Sequence, residues 1–493
     1  MSLEIKINGS RVNIPVNQTI AYNLANFDIS DIGVRKLNYT NSFQIPSAGN
    51  ETIFGFASDI STSSVIPYTQ FSIDIIADGI TIVANGSGVI KNFADGYYNI
   101  QVTEDKDVIS QMKSTSLKTL FPSDILIDDG GATVDLKDLL TNTTGFRHDI
   151  IMSDVHITEA ATDTYIWKSE QDNMSVFVKY VFQQYETVNS VTFAGDLWTD
   201  TYFEDLRMLV YYCFIHYAAG NEYLSGIQID KTRSFYDLFV TILQVFGATY
   251  KITGSTITFS KLDNISKTVY TDWSGKVKEI TDKKFMPDNI AQNNYFRYKP
   301  GDSADKTMNQ SLIPCNNLNL KYESETINFD AKVFPLILLD MYTAYADEFA
   351  IYIKDNIGKY DDTAELNRPL TDMVFLTDSA KVYFNTITVG WEDDRKTLKT
   401  YVTLAGDNIP LTTYFNSQNE YNILFDMLYN PVIYEAELQL NILDIAFFDP
   451  MKFVFIKELG GLFYVNTIKD YLINSPDKTA TAELIKINTY VAP

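Results

Sequence analysis

The chain has 493 residues, of which 45% are hydrophobic and 21% charged, a balance typical of globular proteins and unlike that of disordered chains. At about 150 residues a domain, this length predicts about three domains. Acidic residues outnumber basic ones by 63 to 39, and the net charge of −24 argues against a surface that binds nucleic-acid phosphates. An acidic channel through which DNA slides without adhering is compatible with the same charge.

Aromatic residues make up 14% of the chain, with 32 Tyr and 31 Phe. Tyrosine suits β-sheets and large interfaces because it combines contact area with a polar tip. The composition therefore predicts a β-rich protein with extensive contact surfaces.

Cys213 and Cys315 are too few for a disulfide framework or a thiolate zinc site, and we expect two buried thiols. The first residues, Met1 to Ile7, alternate like a strand and lack the apolar core of a signal peptide. No run approaches the roughly 18 apolar residues of a membrane helix. These features predict a protein that is made and folded in a reducing cytoplasm.

Residues 1–120 predict an N-terminal β-barrel or sandwich domain of short antiparallel strands. The strands are expected at Leu3–Gly9, Phe71–Ile76, Ile80–Ala84, Ser87–Phe93 and Tyr97–Val102. Asx-Gly turns are expected between them, at Asp78-Gly79, Asn85-Gly86 and Asp95-Gly96. A short closing helix is expected over Asp105–Met112, and residues 121–148, with the acidic loop Asp124–Gly131, are interpreted as a linker.

Residues 149–265 predict an α+β domain with three amphipathic helices packed on one face of a sheet. The three apolar stripes are Met174, Phe177, Val178, Val181, Phe182 and Tyr185; Phe203, Leu206, Leu209, Val210, Cys213, Phe214 and Tyr217; and Phe235, Leu238, Phe239, Ile242, Leu243 and Phe246.

The third of these helices runs directly into a β-hairpin. Gly247 stands at the helix end, where a left-handed cap costs a glycine least. Thr249–Thr253 and Thr256–Ser260 alternate around Gly254-Ser255, which predicts a two-residue turn. The apolar stripe must be buried against this hairpin, which leaves no room for a catalytic loop.

Residues 266–320 are predicted to supply strands of a second barrel, with Asp272-Trp273 preceding strands at Val277–Ile280 and Asn293–Tyr298. Residues 321–430 predict an insert domain, an arm or docking element. Its expected parts are a buried apolar run, Val333–Leu339, in which Pro335 argues against a central strand, strands at Thr386–Trp391 and Lys399–Leu404, and a short helix at Tyr421–Leu428. Residues 431–493 predict a C-terminal β-barrel segment with strands at Tyr434–Asn441, Lys452–Ile456, Leu462–Ile468 and Thr479–Ile487.

The sequence offers few groups for metal binding. His148 with Asp149, and Asp154 with His156, form the densest set of metal-capable residues, but the spacing of a zinc site is absent. His216 is expected on the second helix as a packed core or interface histidine. We therefore predict no metal ligand and no cofactor.

Three adjacent carboxylate pairs could in principle supply a glycosidase acid and nucleophile: Asp128-Asp129, Asp361-Asp362 and Asp393-Asp394. Such pairs are expected by chance among 63 acidic residues, and solvated turns are the simpler interpretation. Motifs of serine hydrolases, zinc proteases and nucleotide-binding proteins are absent. The sequence therefore predicts no catalytic residue and no enzyme.

Five segments, taken in order, resemble the tail hub proteins of tailed phages, especially those that infect Bacteroides-like bacteria. These are Lys36–Ser47 with Asn50–Phe56, the helix and hairpin of Ser234–Ser260, Asp272-Trp273, Asn293–Phe296, and Glu435–Ile487. The resemblance leaves Lys321–Tyr429 poorly covered. It implies two barrels and two α+β inserts per subunit, with three subunits that close a ring between a sixfold tail tube and a threefold tip.

The resulting expectation is a virion protein without catalytic residues: a homo-oligomeric ring, with a trimer favoured, that lines a channel for DNA. Its expected partners are the tail tube protein, spike or fibre proteins and the tape measure protein, and neither specific nucleic-acid binding nor a membrane span is expected. Two alternatives remain open, a secreted adhesin or carbohydrate-binding module and a polysaccharide-degrading tail enzyme. The enzyme would require an acidic pair in an aromatic-lined groove.

Overall fold

The computed structural model describes residues 2–28, 31–59, 61, 63–121, 124–128, 145–148, 155–161, 164–169, 174–209, 214–218, 221–225, 233–285, 291–298, 310–315, 324–329, 331–335, 373–377, 387–391, 394–398, 422–475 and 477–487.

The described residues are β-rich α+β, as predicted, with mostly antiparallel strand pairs. The first strands are β1 (Leu3–Ile7), β2 (Ser10–Arg11), β3 (Ala21–Ala25), β4 (Phe27–Asp28), β5 (Asp31–Arg35), β6 (Tyr39–Thr40), β7 (Phe43–Pro46), β8 (Phe71–Ala77), β9 (Ile80–Ala94), β10 (Tyr97–Thr103), β11 (Asp124–Asp128), β12 (Phe146–His148), β13 (Val155–Ala161), β14 (Thr164–Ser169), β15 (Met174–Phe177), β16 (Thr192–Gly195) and β17 (Arg207–Leu209). The remaining strands are β18 (Phe214–Ala218), β19 (Asn221–Ser225), β20 (Ala248–Thr253), β21 (Thr256–Lys261), β22 (Thr271–Asp272), β23 (Val277–Lys284), β24 (Asn293–Tyr298), β25 (Gln310–Pro314), β26 (Ser324–Phe329), β27 (Ala331–Pro335), β28 (Met373–Thr377), β29 (Ile387–Trp391), β30 (Asp394–Leu398), β31 (Ile433–Leu438), β32 (Val454–Ile456), β33 (Gly461–Leu472) and β34 (Ala480–Lys486).

The helices of the described residues are short. They are α1 (Lys106–Ser114), α2 (Val178–Asn189), α3 (Thr201–Asp205), α4 (Phe235–Val245), α5 (Asn422–Tyr429) and α6 (Ile442–Ala446). Single 3-10 turns lie at Ile66–Tyr68, Leu117–Leu120, Leu197–Thr199, Leu262–Asn264 and Lys457–Leu459.

One sheet of 14 strands unites the two ends of the described chain. Its main path is β2-β1-β8-β9-β10-β6-β3-β33-β34-β31-β23, while β7 pairs with β10 and β32 joins β22 to β33. Because β3 pairs with β33, strands of the predicted N-terminal and C-terminal units belong to a single sheet. Closure of either unit into a barrel, and the predicted domain boundaries, stay predictions.

Two apolar cores stabilise this arrangement. The sheet core lies on one face of the large sheet and includes Ile73, Ile100 and Leu484. The helical core gathers α2, α4, the β20–β21 hairpin and the opposite face of β33 and β34, through Tyr464 and Ile485. The start of β33 and the end of β34 are therefore buried on both faces.

The helix-hairpin module forms as predicted. Ser234 caps α4, since its hydroxyl accepts a hydrogen bond from Asp237 N at 3.3 Å and the Asp237 carboxylate accepts from Ser234 N at 2.8 Å. Gly247 has φ 55° beyond the helix end, and Thr253 pairs with Thr256 across the turn. The Phe239 ring lies 5.0 Å from Tyr250 and 5.7 Å from Phe259. The apolar stripe is thus buried against the hairpin.

A third strand pairs with this hairpin at very close range. Residues of β16 run parallel to β21, with Gly195 opposite Phe259. Gly195 has φ +107°, and a Cβ there would lie 2.0 Å from the carbonyl oxygen of Phe259. Only glycine permits this approach of the two backbones.

The predicted second helix is wrong. Residues 201–205 form α3, but β17 and β18 occupy the rest of the stripe within the described residues. The segment is rich in aromatic residues and almost continuously apolar, a pattern that fits a buried strand as well as a helix. The start of the first helix also differs, because Met174–Phe177 forms β15 and α2 begins only at Val178.

Two predicted loops are strands. Asp124–Asp128 pairs with Asn221–Ser225, because its three central residues are apolar and favour a sheet despite the flanking acids. Asn85-Gly86 is not a turn but a bulge within β9, where Asn85 adopts φ 51° and its N–H donates to the Asp74 carboxylate at 2.8 Å. Asx-Gly pairs supply positive φ to bulges as well as to turns.

Other predicted elements agree with the structure. The turns at Asp78-Gly79 and Asp95-Gly96 are confirmed, as are a helix near 105–112, one near 421–428 and four strands after residue 431. Pro335 is the last residue of β27. In the described part of its sheet, β27 is an edge strand that pairs with β28, which agrees with the argument against a central strand. The predicted strand Lys399–Leu404 and residues 336–339 lie outside the described residues.

Candidate assembly surfaces

The three histidines lie in three different sheets. His148 is in β12, His156 in β13 and His216 in β18, so the helical position expected for His216 is wrong. Asp149 and Asp154 lie outside the described residues. Within the described ranges, no group of three or more His, Cys, Asp or Glu side chains could hold a metal ion.

The carboxylate pairs are not found in turns where the structure describes them. Asp128 ends β11 opposite Glu222, and Asp394 begins β30 opposite Trp391. Their neighbours Asp129 and Asp393, and the pair at 361–362, lie outside the described residues. Cys315 is a buried thiol, as predicted, and Cys213 is not among the described residues.

The most unusual charge arrangement lies on the face of the large sheet opposite the sheet core. Asp282 of β23 pairs with Glu435 of β31, and Glu435 pairs with Glu483 of β34. Glu279 and Glu437 form a second carboxylate pair two residues further along β31. Directly opposed like charges destabilise a sheet. We call these five residues the acidic face.

Few cations balance the acidic face. Lys284 Nζ lies 3.6 Å from Glu435 Oε2 and 3.9 Å from Asp282 Oδ2. Glu437 accepts a hydrogen bond from the Thr481 hydroxyl at 2.8 Å, and Glu483 accepts one from the Asn466 amide. Lys284 thus lies near two of the five carboxylates, and the acidic face is net negative.

Strand β23 is the exposed end of the same sheet. It pairs with β31 and with no second strand among the described residues, and its six central residues are exposed. Ile280 faces the same side as the buried Ala436, yet it is 48% exposed, and Phe285 just beyond the strand is 54% exposed. The apolar side of the sheet therefore continues onto β23 without being covered. Ile280 and Phe285, with Lys278, Lys283 and Lys284, are called the edge patch.

A second exposed apolar surface is formed by the loop between β7 and β8. Phe56 is 48% exposed, Val65 70% and Tyr68 88%, and the neighbouring Phe93 of β9 is 42% exposed. The 3-10 turn that carries Tyr68 packs against β9. These four residues are called the loop patch.

Local hydrogen bonds fix the shape of this loop. The buried Asn50 side chain donates to the carbonyl oxygens of Asn13 at 2.9 Å and Pro46 at 2.8 Å. Phe56 N–H donates to Glu51 O at 2.7 Å and Gly55 N–H to Thr52 O at 3.3 Å, as in a Schellman cap. Phe56 itself adopts φ 55°, a conformation rare for an aromatic residue. The loop thus holds this ring at the surface.

The loop patch also carries negative charge. Two serine hydrogen bonds, from the backbone N–H of Ser61 at 2.9 Å and from its hydroxyl at 2.7 Å, lower the pKa of Asp59 below its ordinary value. Asp59 is therefore ionised at neutral pH. Between Lys36 and Lys91 the sequence contains neither lysine nor arginine.

A third exposed apolar surface lies at the end of α6, with Leu443 in the helix and Phe447 directly after it. Leu443 is 50% exposed and Phe447 75% exposed, and their spacing places them on one side of the helix. The sequence predicts none of these surfaces. It indicates no element at residues 442–446 and predicts Val277–Ile280 as a strand without its position in the sheet.

No protein-family model matches the chain, and no curated protein sequence matches it. Among solved structures, it is similar to the 43 kDa tail protein of prophage MuSo2 from Shewanella oneidensis, with a TM-score of 0.42 and 8% identity over 99% of this chain and 98% of that chain. It is also similar to prophage tail protein gp18 from Listeria monocytogenes EGD-e, with a TM-score of 0.37 and 6% identity over 100% and 96% of the two chains. A third similar structure is the Francisella PdpA–VgrG complex, with a TM-score of 0.36 and 9% identity over 100% and 59%.

Within the described part of the chain, no helix is long and apolar enough to cross a membrane.

Proposed function

We propose that the chain is a structural subunit of the distal end of a phage tail. Copies of it form a ring, with three copies favoured, that surrounds a channel for DNA and joins the tail tube to spike or fibre proteins. The tape measure protein would pass through the same channel. In this proposal the protein acts by assembly and carries no catalytic residue.

The acidic face carries this proposal. Placing Asp282, Glu435 and Glu483 side by side lowers the stability of the sheet, so the arrangement needs a reason other than folding. A channel wall supplies one, because carboxylates repel the phosphates of DNA and prevent adhesion during passage. The ordered resemblance of five sequence segments to phage tail hub proteins supports the same function.

The geometry of the sheet also fits a ring subunit. Because β3 pairs with β33, the large sheet joins segments more than 400 residues apart into one continuous surface. The sheet core, with Ala436 and Leu484, supports the side of the sheet opposite the acidic face. The helical core covers the neighbouring part of the acidic side, near Tyr464 and Ile485. Exposed apolar patches remain on the loop, the sheet edge and α6 for contacts with neighbouring subunits.

Electron microscopy and mass photometry of the purified chain test the ring. We expect closed particles with a central hole and a threefold mass. A chain that stays monomeric at every concentration, both alone and with the tail tube protein, would refute the proposal.

Cysteine labelling tests whether the acidic face lines the hole. In assembled rings of Glu435→Cys, a small maleimide should react, whereas a maleimide coupled to a bulky protein should not enter. Val188→Cys, on the exposed side of α2, is the matched control and should react with both reagents. The unsubstituted chain measures the background of Cys213 and Cys315. Equal labelling of Glu435→Cys by both reagents would place the acidic face outside the channel.

A further inference from the structure

The loop patch and the edge patch lie on opposite halves of the large sheet. The loop follows β7 and packs on β9, near the β2 end of the strand order, whereas β23 is the last strand at the other end. Strands β6, β3, β33, β34 and β31 separate β10 from β23. The two patches are therefore carried by strands that do not pair with each other, since β9 pairs with β8 and β10 and β23 pairs with β31.

The two patches have complementary charges. The loop, residues 47–70, contains Glu51 and Asp59 and no lysine or arginine, and Lys91 lies two residues before Phe93. The ten residues 276–285 contain four lysines and two acids in a chain whose net charge is −24. Lys276 pairs with Asp444, and Lys284 pairs with Glu435 and Asp282, so Lys278 and Lys283 supply the positive charge of the edge patch.

The apolar parts of the patches are also suited to each other. The loop presents the protruding Phe56 and Tyr68 rings, held in place by the Schellman cap and by Asn50. The edge presents Ile280 and Phe285 on a side of the sheet that elsewhere is covered by the core. Lys283 lies over the Phe285 and Tyr434 rings at 5.1 Å and 5.2 Å, so its charge borders the apolar surface.

From these observations we infer that the loop patch of one copy binds the edge patch of the next copy. The aromatic rings of the loop cover Ile280 and Phe285, while the carboxylates near the loop face the lysines of β23. Because the two surfaces differ, the contact is head-to-tail, and repeated head-to-tail contacts close a ring. This inference rests on the proposed function, since it names the interface between the ring subunits.

A complementation experiment tests the interface directly. The loop variant carries Phe56→Ser and Tyr68→Ser, and the edge variant carries Ile280→Ser and Phe285→Ser. Each variant should remain monomeric in sedimentation and mass photometry at concentrations where the unsubstituted chain is assembled. An equimolar mixture should form a dimer containing one copy of each, because only one intact loop and one intact edge remain, and it should grow no further.

Several outcomes would overturn the inference. These are a mixture that stays monomeric, assembly of either variant alone, or a mixture that forms complete rings. If the unsubstituted chain forms rings and both variants do so too, the interface is wrong while the proposed function stands. If the unsubstituted chain never assembles, both fail.

Matched controls separate interface effects from misfolding. Val188→Ser removes another exposed apolar side chain, 59% exposed on α2, and should leave assembly unchanged. Circular dichroism should be the same for every variant. If either double variant misfolds, Val65→Ser for the loop and Lys283→Ala for the edge replace it, and each should weaken assembly at least tenfold. Assembly of the unsubstituted chain should also weaken as salt screens the complementary charges.

Discussion

The ring of Tyr185 stacks on the ring of Phe235, with centroids 3.9 Å apart and planes inclined by 7°. This contact joins α2 to α4 in the centre of the helical core, where both side chains are fully buried. Phe182 lies 4.9 Å from the same Phe235 ring in an edge-on arrangement. Phe235 therefore links the two helices through aromatic contacts from two directions.

Phe235→Ala should strongly destabilise this region. Truncation of a buried phenylalanine leaves a cavity and typically costs about 3–5 kcal/mol. Urea denaturation followed by tryptophan fluorescence and circular dichroism would measure the loss. Phe447→Ala is the control, because that ring is 75% exposed and its removal should change stability by less than about 0.5 kcal/mol. Equal losses for the two variants would contradict the packing described for Phe235.

Alkaline pH should unfold the protein through its buried tyrosines. Burial raises the pKa of Tyr185 to about 12 and, with the Asp444 charge as a smaller cause, that of Tyr471 to about 12. Since the folded-state pKa values exceed the unfolded value, their contribution to stability is complete below about pH 10 and is lost as the pH rises towards about 12. Absorbance of tyrosinate and circular dichroism should therefore change together in this window.

Tyr185→Phe with Tyr471→Phe provides the control for alkaline unfolding. Neither hydroxyl has a hydrogen-bond partner in the part of the chain that the structure describes. Removing them should leave stability at neutral pH unchanged or raise it by up to about 1 kcal/mol. The double variant should resist alkaline unfolding more than the unsubstituted chain, and an identical pH midpoint would contradict this assignment.

Asn26 joins the N-terminal strands to the C-terminal ones. It is buried, its side-chain amide donates to Pro450 O at 3.2 Å and Val465 O at 3.3 Å, and its backbone N–H donates to Asn466 O at 2.9 Å. Asn26→Asp would place a carboxylate against two carbonyl oxygens and should cost about 2–4 kcal/mol. Hydrogen exchange should then become faster in β3, at Ala21–Ala25.

An exposed asparagine near the same strands tests the specificity of this effect. The Asn41 amide donates to the Asp470 carboxylate at 2.9 Å in an exposed pair. Asn41→Asp should cost less than about 1 kcal/mol, because solvent screens the new repulsion. If the two aspartate variants behaved alike, burial of Asn26 would not be the cause.

The helix-hairpin module was predictable because its signals are local. The Ser234–Asp237 cap, the apolar stripe of α4, Gly247 and the Gly254 turn all lie within 25 consecutive residues, and each favours the same structure. The segment after Phe203 was not predictable in this way. Its residues fit a helical stripe and a buried strand equally well, and pairing with other strands decided between them.

The candidate surfaces depend on pairings that the sequence does not display. Asp282 meets Glu435 and Glu435 meets Glu483 only because β23, β31 and β34 are neighbours in the sheet. Taken alone, β31 and β34 show ordinary alternation with polar residues on one face. The exposure of Ile280 likewise follows from the position of β23 at the end of the sheet and not from its own residues.

Glu483→Gln tests whether the acidic face is kept at the expense of stability. The substitution removes the repulsion with Glu435, while a glutamine oxygen can still accept the hydrogen bond from the Asn466 amide. We expect a gain of about 0.2–1 kcal/mol at low salt in urea denaturation. At about 1 M salt the Debye length falls to about 3 Å and the gain should fade. A loss of stability at low salt, or a gain that salt does not alter, would show that repulsion across β31 and β34 is not what the carboxylate contributes.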